Sequence, residues 1–204
     1  GNWSGNAVPG FTTNVTIPAT GITNYPTLTA AGDCNNLTIQ STATDDGSLM
    51  GQSYLTVNGT TTIERYTTAG KWHGISGPLD NDDFNSLYFN NSPDVWGMSY
   101  NEGDNTYTYA DDLSTDLGDA KGWMVWIDGS TAKTFSFTGD LRTGNVGPIS
   151  LTNTGPDATH GFNFVGNPYP SAIDWEAGGW TKTNVDAGIW VWNPEAVGGA
   201  NWAT

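Results

Sequence analysis

Cations are scarce in this chain: it carries six Lys and Arg against 21 Asp and Glu, a formal net charge of −15 over 204 residues. Binding a phosphate backbone needs a basic face, and six scattered basic residues cannot build one, so a nucleic-acid partner is excluded. The same charge opposes docking on an anionic bilayer. No apolar run approaches the roughly 18 residues needed to cross a membrane, so membrane insertion is not expected either. Cysteine is nearly absent. The single Cys34 rules out an intrachain disulfide, and it is most simply a small buried residue. Helical patterning is missing as well, since Gly and Pro interrupt most windows long enough to hold an amphipathic helix.

What the chain has in quantity is glycine, 27 residues, and aromatics, with 10 Trp, 8 Tyr and 7 Phe. That aromatic content argues against disorder. Short runs of alternating β-branched or aromatic residues, bounded by Gly, Asn, Asp and Pro, predict an all-β fold. Three triplets recur near the start: Val15-Thr16-Ile17, Leu37-Thr38-Ile39 and Leu55-Thr56-Val57. Each puts two apolar side chains on one face and a Thr on the other. Rungs at about 20-residue intervals predict a short β-solenoid-like region over residues 1–69, with Asn14, Asn36 and Asn58 at its corners. Three ordinary sandwich strands are the alternative.

Residues 70–204 read as a β-sandwich or jelly-roll-like body containing a repeat of about 90 residues. Trp72–Pro78 aligns with Phe162–Pro168, and Trp96–Asn101 aligns approximately with Ile189–Asn193. The alignment predicts that Ile75 and Val165 occupy equivalent inward positions. The aromatic strand Gly122–Ile127 has no counterpart in the second copy before Thr204. This predicts one full repeat plus a truncated one, with residues 189–204 seeking a partner strand in another chain.

Several runs carry a resemblance: Asn2-Trp3-Ser4, Asn14-Val15-Thr16-Ile17-Pro18, Cys34–Ile39, Trp72–Pro78 and, above all, Gly161-Phe162-Asn163-Phe164-Val165-Gly166-Asn167-Pro168-Tyr169-Pro170-Ser171. The chain resembles modules of large Bacteroidota cell-surface proteins exported by the type IX secretion route. The resemblance implies an extracellular or cell-surface location, a multidomain parent, and neighbouring modules or chains as partners. It implies no activity.

The residues themselves offer little catalytic chemistry. His73 and His160 are the only histidines, with no Gly-x-Ser-x-Gly elbow beside them, and the expectation is a protein that is not an enzyme. No cofactor is expected. The one metal candidate is calcium at Asp80, Asp82 and Asp83, because calcium takes six to eight oxygens and acidic loops supply them. A solvated turn explains the same cluster, since Asp and Asn favour turns for backbone reasons. Most tryptophans are expected in the core, filling the space between sheets. Trp180 and Trp202, in glycine-rich surroundings, are the candidates for exposed sugar-stacking rings. The functional expectation is a non-catalytic structural or adhesive module of a secreted or surface protein. A carbohydrate-binding module attached to a secreted hydrolase is the alternative, and an exposed row of aromatics would favour it.

Overall fold

The computed structural model describes residues 7–87, 95–110, 112–156, 160–179, 181–186, 188–196 and 201–203. Among these residues the chain is all-β, with short strands and two single 3-10 turns. Five strands lie in the first seventy residues: β1 (Val15–Ile17), β2 (Gly32–Cys34), β3 (Leu37–Ile39), β4 (Leu55–Val57) and β5 (Thr61–Thr67). They pair in parallel and in register. Val15 lies opposite Leu37 and Leu37 opposite Thr61, while Gly32 lies opposite Leu55. An isolated parallel bridge joins Thr27 to Met50. Three separate parallel ladders therefore climb together, each by nearly the same length of chain per step.

The rung after β3 is thus Thr61–Ile63, not Leu55–Val57 as the triplet pattern predicts. Leu55–Val57 has the same alternation, but it belongs to a second ladder and stacks on Gly32–Cys34. The corners are fastened by asparagine. Asn14 Oδ1 accepts from Asn35 Nδ2 at 2.9 Å and from Asn36 Nδ2 at 3.2 Å. Asn36 Oδ1 then takes the Thr60 N–H at 2.8 Å, and Asn58 Nδ2 reaches the Cys34 carbonyl at 2.9 Å. These side chains satisfy backbone groups that the ladders leave open at each turn.

The remaining strands are β6 (Trp72–Ile75), β7 (Leu79–Asp80), β8 (Val95–Asn101), β9 (Thr106–Tyr109), β10 (Trp123–Ile127), β11 (Lys133–Leu141), β12 (Val191–Asn193) and β13 (Asn201–Ala203). One sheet runs β1-β3-β5-β11-β7 and a second, antiparallel one runs β6-β10-β8-β9. β5 pairs with β11 from Thr61 to Thr67, so the first sheet runs across the 69/70 line drawn from sequence. A single hydrophobic cluster draws on both sides of that line, joining Ile17, Leu37 and Ile63 to Phe135, Phe137, Trp123, Val125 and Ile127. Alternation explains who enters it. In β11, Phe135 and Phe137 point in while Ser136 and Thr138 point out. Each buried Phe contributes roughly 2–3 kcal/mol of transfer free energy.

Gly97 shows how tightly the core closes. A Cβ at this position would lie 2.1 Å from a Phe84 ring carbon, and Phe84 packs in turn on Trp123 with ring centroids 5.8 Å apart. Only glycine lets β8 pass that ring.

The long repeat does not hold at its test position. Ile75 is buried, whereas Val165 is 42% exposed. Val165 forms an isolated antiparallel bridge with Lys121, flanked by the hydrogen bonds Gly122 N–H to Phe164 O and Gly166 N–H to Ala120 O. The segment thus extends the pairing of the chain before β10 and is not a second copy of β6. The C-terminal strands also differ from expectation: β12 and β13 pair with each other, Val191 opposite Ala203 and Trp192 opposite Trp202. The partner strand lies in the same chain.

Candidate functional site

Three neighbouring strands place three tryptophans side by side. Trp126 of β10 lies directly opposite Trp72 of β6 and directly opposite Trp96 of β8. Residues directly opposite each other in an antiparallel ladder project from the same face. That face is the outer one, because Trp123, Val125 and Ile127 take the inner positions of β10 and are buried. Two inter-strand steps give a row about 10 Å long. Trp96 is 51% exposed and Tyr109, on the adjoining β9, is 57% exposed. With Asp128 these four aromatics line a shallow cleft of about 300 Å³.

The rings are held in place. Asp128 Oδ1 accepts the Trp126 indole N–H at 2.9 Å, and Oδ2 accepts that of Trp96 at 3.4 Å. Trp72 and Trp126 pack with centroids 5.6 Å apart and planes tilted by 53°. A carboxylate that accepts both N–H groups fixes the ring edges and leaves the faces to solvent. Such faces can pack on the apolar C–H faces of sugar rings or on a cation, since the π-cloud is the negative part of the ring.

The other end of the same sheet face is covered by the C-terminal part of the chain, and glycine makes the seat. The Phe164 ring lies where a Cβ at Gly122 would come within 2.8 Å, and it also approaches Gly74, as does Trp192. Trp192 donates its indole N–H to the Trp72 carbonyl at 2.7 Å. Its ring meets Trp202 edge-on at 5.2 Å, and Trp202 meets Phe164 at 5.8 Å. Lys71, just before Trp72, is ion-paired with Glu195, which also accepts from Thr68.

Tryptophan placement corrects the sequence-based expectation. Of the eight described tryptophans only Trp123 is buried, while Trp72, Trp126, Trp175 and Trp192 are half-buried and Trp96, Trp190 and Trp202 are exposed. Trp202 is 41% exposed as anticipated, yet it sits within the aromatic cluster docked on β6. Trp180 lies outside the described residues. The row of Trp72, Trp126 and Trp96 was missed. Its signal was the spacing that sends Trp126 to the face opposite Trp123.

Asp80, Asp82 and Asp83 do not converge on a common point. Asp82 is buried and accepts the Leu79 N–H through Oδ2 at 2.8 Å. Burial pushes its carboxyl up from 3.8 to about 6. Asp80 pairs with the buried guanidinium of Arg142 at 3.0 Å, and Arg142 also binds Asp119 at 2.7 Å and the Leu79 carbonyl at 2.6 Å. Asp83 is committed to a backbone bridge with Asp116. Among the described residues no group of three His, Cys, Asp or Glu is placed to hold a metal. The cluster is a turn organised around Arg142.

The remaining titratable candidates have structural partners. His73 Nε2 lies 3.0 Å from both the carbonyl and the hydroxyl of Thr68, and burial lowers its pKa. Cys34 is buried. Glu102, buried at the end of β8, accepts the N–H groups of Thr154 and Gly161, each at 2.9 Å. Those bonds hold its carboxyl down at about 2 and tether Thr154 and Gly161 to the end of β8. No protein family, curated protein or solved structure matches this chain. The site therefore rests on its own geometry.

Proposed function

We propose that the chain is a non-catalytic adhesive module of a secreted or cell-surface bacterial protein, and that it adheres by binding polysaccharide on the Trp72–Trp126–Trp96 row. The observation that carries this reading is the register itself. Three indoles on adjacent strands, half-buried or exposed and two of them braced by one carboxylate, form an aromatic strip on an acidic protein. A structural side chain has no need to stand in that row, since the core lies on the other face of the sheet. Contiguous exposed apolar surface of this kind marks interaction sites. On this reading the parallel ladders of residues 15–63 are a short β-solenoid and the two larger sheets a β-sandwich, which together form a rigid mount for the strip.

A spacer without a ligand is the second reading. It is favoured by the parallel stack, which extends by strand pairing alone. Affinity electrophoresis separates the two. Native gels containing soluble β-glucan, xylan, mannan or chitosan should retard the chain in at least one case, and Trp126→Ala should restore its mobility. Unretarded migration in every gel would leave the spacer.

A further inference from the structure

We infer that the polysaccharide taken by the row carries free amino groups, making the ligand class a cationic aminosugar polymer. This rests on the sugar-binding reading above. The rings do not make one flat shelf, because Trp72 and Trp126 are tilted by 53° at a centroid separation of 5.6 Å. A flat sugar ring covers one such face well and both poorly. A compact ammonium seated over the angle where the two rings meet can lie within the roughly 6 Å over which an indole attracts a cation for both rings at once.

The charge at the row has the same sign throughout. Asp128 is exposed, and its described hydrogen bonds come from two neutral indole N–H groups. No cation is among the five lining residues. Lys71, the neighbour of Trp72 in sequence, is paired with Glu195. A net charge of −15 repels acidic polymers such as uronic-acid chains at long range and draws in cationic ones. A neutral glycan can offer Asp128 only hydroxyl hydrogen bonds, whereas an amine at the row adds a charge–charge attraction to its carboxylate.

The test is calorimetric titration of the full chain with two tetrasaccharides, glucosamine and N-acetylglucosamine, at mildly acidic pH and low salt. The pair differs in whether the nitrogen is charged. The glucosamine tetramer should bind tighter by at least about fivefold, the scale of one exposed cation–π contact with one exposed ion pair. The advantage should shrink as salt is added. Asp128→Asn should reduce glucosamine affinity by a larger factor than N-acetylglucosamine affinity. Trp126→Ala keeps the net charge and should cost at least about tenfold for both ligands, as loss of a central aromatic anchor does. Glucosamine binding that survives Trp126→Ala unchanged would reveal bulk charge attraction and overturn the proposal. Equal affinity for both tetramers would overturn the amine class while leaving the sugar-binding reading in place. Binding of neither tetramer would overturn the amine class, and the sugar-binding reading would fall with it only if no gel retards the chain.

Discussion

Replacing Asp82 by Asn should stabilise the protein, and by an amount that depends on pH. Asp82 is 6% exposed, and burial raises its carboxyl from 3.8 to about 6 while the Leu79 N–H and the charge of Arg142 pull the other way. A raised folded-state value means that the folded chain holds the proton more tightly than the unfolded one. The stabilising contribution of that proton is complete below the unfolded value of 3.8 and is lost as pH rises through about 6. Above pH 6 the folded state keeps a desolvated carboxylate, at a cost of at most about 3 kcal/mol. Asp82 borders a small cleft that it shares with Asp116, Asp119 and Arg142, and solvent there screens the charge and brings the cost down to about 2 kcal/mol. Asn keeps the oxygen that receives the Leu79 N–H and removes the charge. Urea unfolding of both proteins at pH 3.5 and pH 8 measures the difference. The gap should be close to zero in acid and reach about 2 kcal/mol in favour of Asp82→Asn at pH 8. A gap that does not change with pH, or a variant less stable at pH 8, would refute the account of Asp82 as a buried carboxyl strained by desolvation.

Other perturbations follow from the packing. Gly97→Ala drives a methyl into the Phe84 ring, 2.1 Å away, and should cost about 3 kcal/mol or more in a denaturant melt; a loss under about 1 kcal/mol would mean the core is looser than described. Thr61 is fully buried with a hydroxyl that has no partner among the described residues. Thr61→Val should therefore raise stability by about 1 kcal/mol, read from the thermal midpoint. Gly122→Ala should unseat Phe164, whose ring lies 2.8 Å from the new methyl. Near-UV circular dichroism should record the loss of the Phe164–Trp202 contact with little change in far-UV signal, and an unaltered near-UV spectrum would count against that seat.

The all-β character was legible because alternation, β-branching and Gly-Asn-Pro punctuation agree along the chain. The stacking of Val15–Ile17 on Leu37–Ile39 was legible too, since the offset that carries Val15 to Leu37 also carries the corner Asn14 to Asn36. The next rung was not. A turn that contains two strands offers two triplets of the same pattern, and only the tertiary ladder decides which one continues the stack. The Val165 match failed for a related reason. A Phe-x-Phe-Val-Gly run looks like an inward strand, but here it lies against Gly122 and Gly74, whose missing side chains free the outer face for it. The tryptophan row was half-visible. Spacing put Trp126 and Trp123 on opposite faces of one strand. Which of those faces is covered depends on distant residues: Phe164 and Trp192, from the C-terminal part of the chain, seat on the Gly74–Gly122 end. For the same reason three neighbouring acids looked like a metal loop, while the residue that organises them, Arg142, lies far along the chain on the other side of β10 and β11.

The most direct test of the central claim is an indole N–H correlation spectrum of the nitrogen-15-labelled chain, recorded during titration with the oligosaccharide that retards it in gels. Signals of Trp72, Trp96 and Trp126 should shift together along one saturating curve. The Trp123 signal, from an indole buried and bonded to the Leu117 carbonyl at 2.9 Å, should stay in place. Saturable shifts confined to tryptophans outside the row, with Trp72, Trp96 and Trp126 unmoved, would contradict the assignment of that row as the binding face.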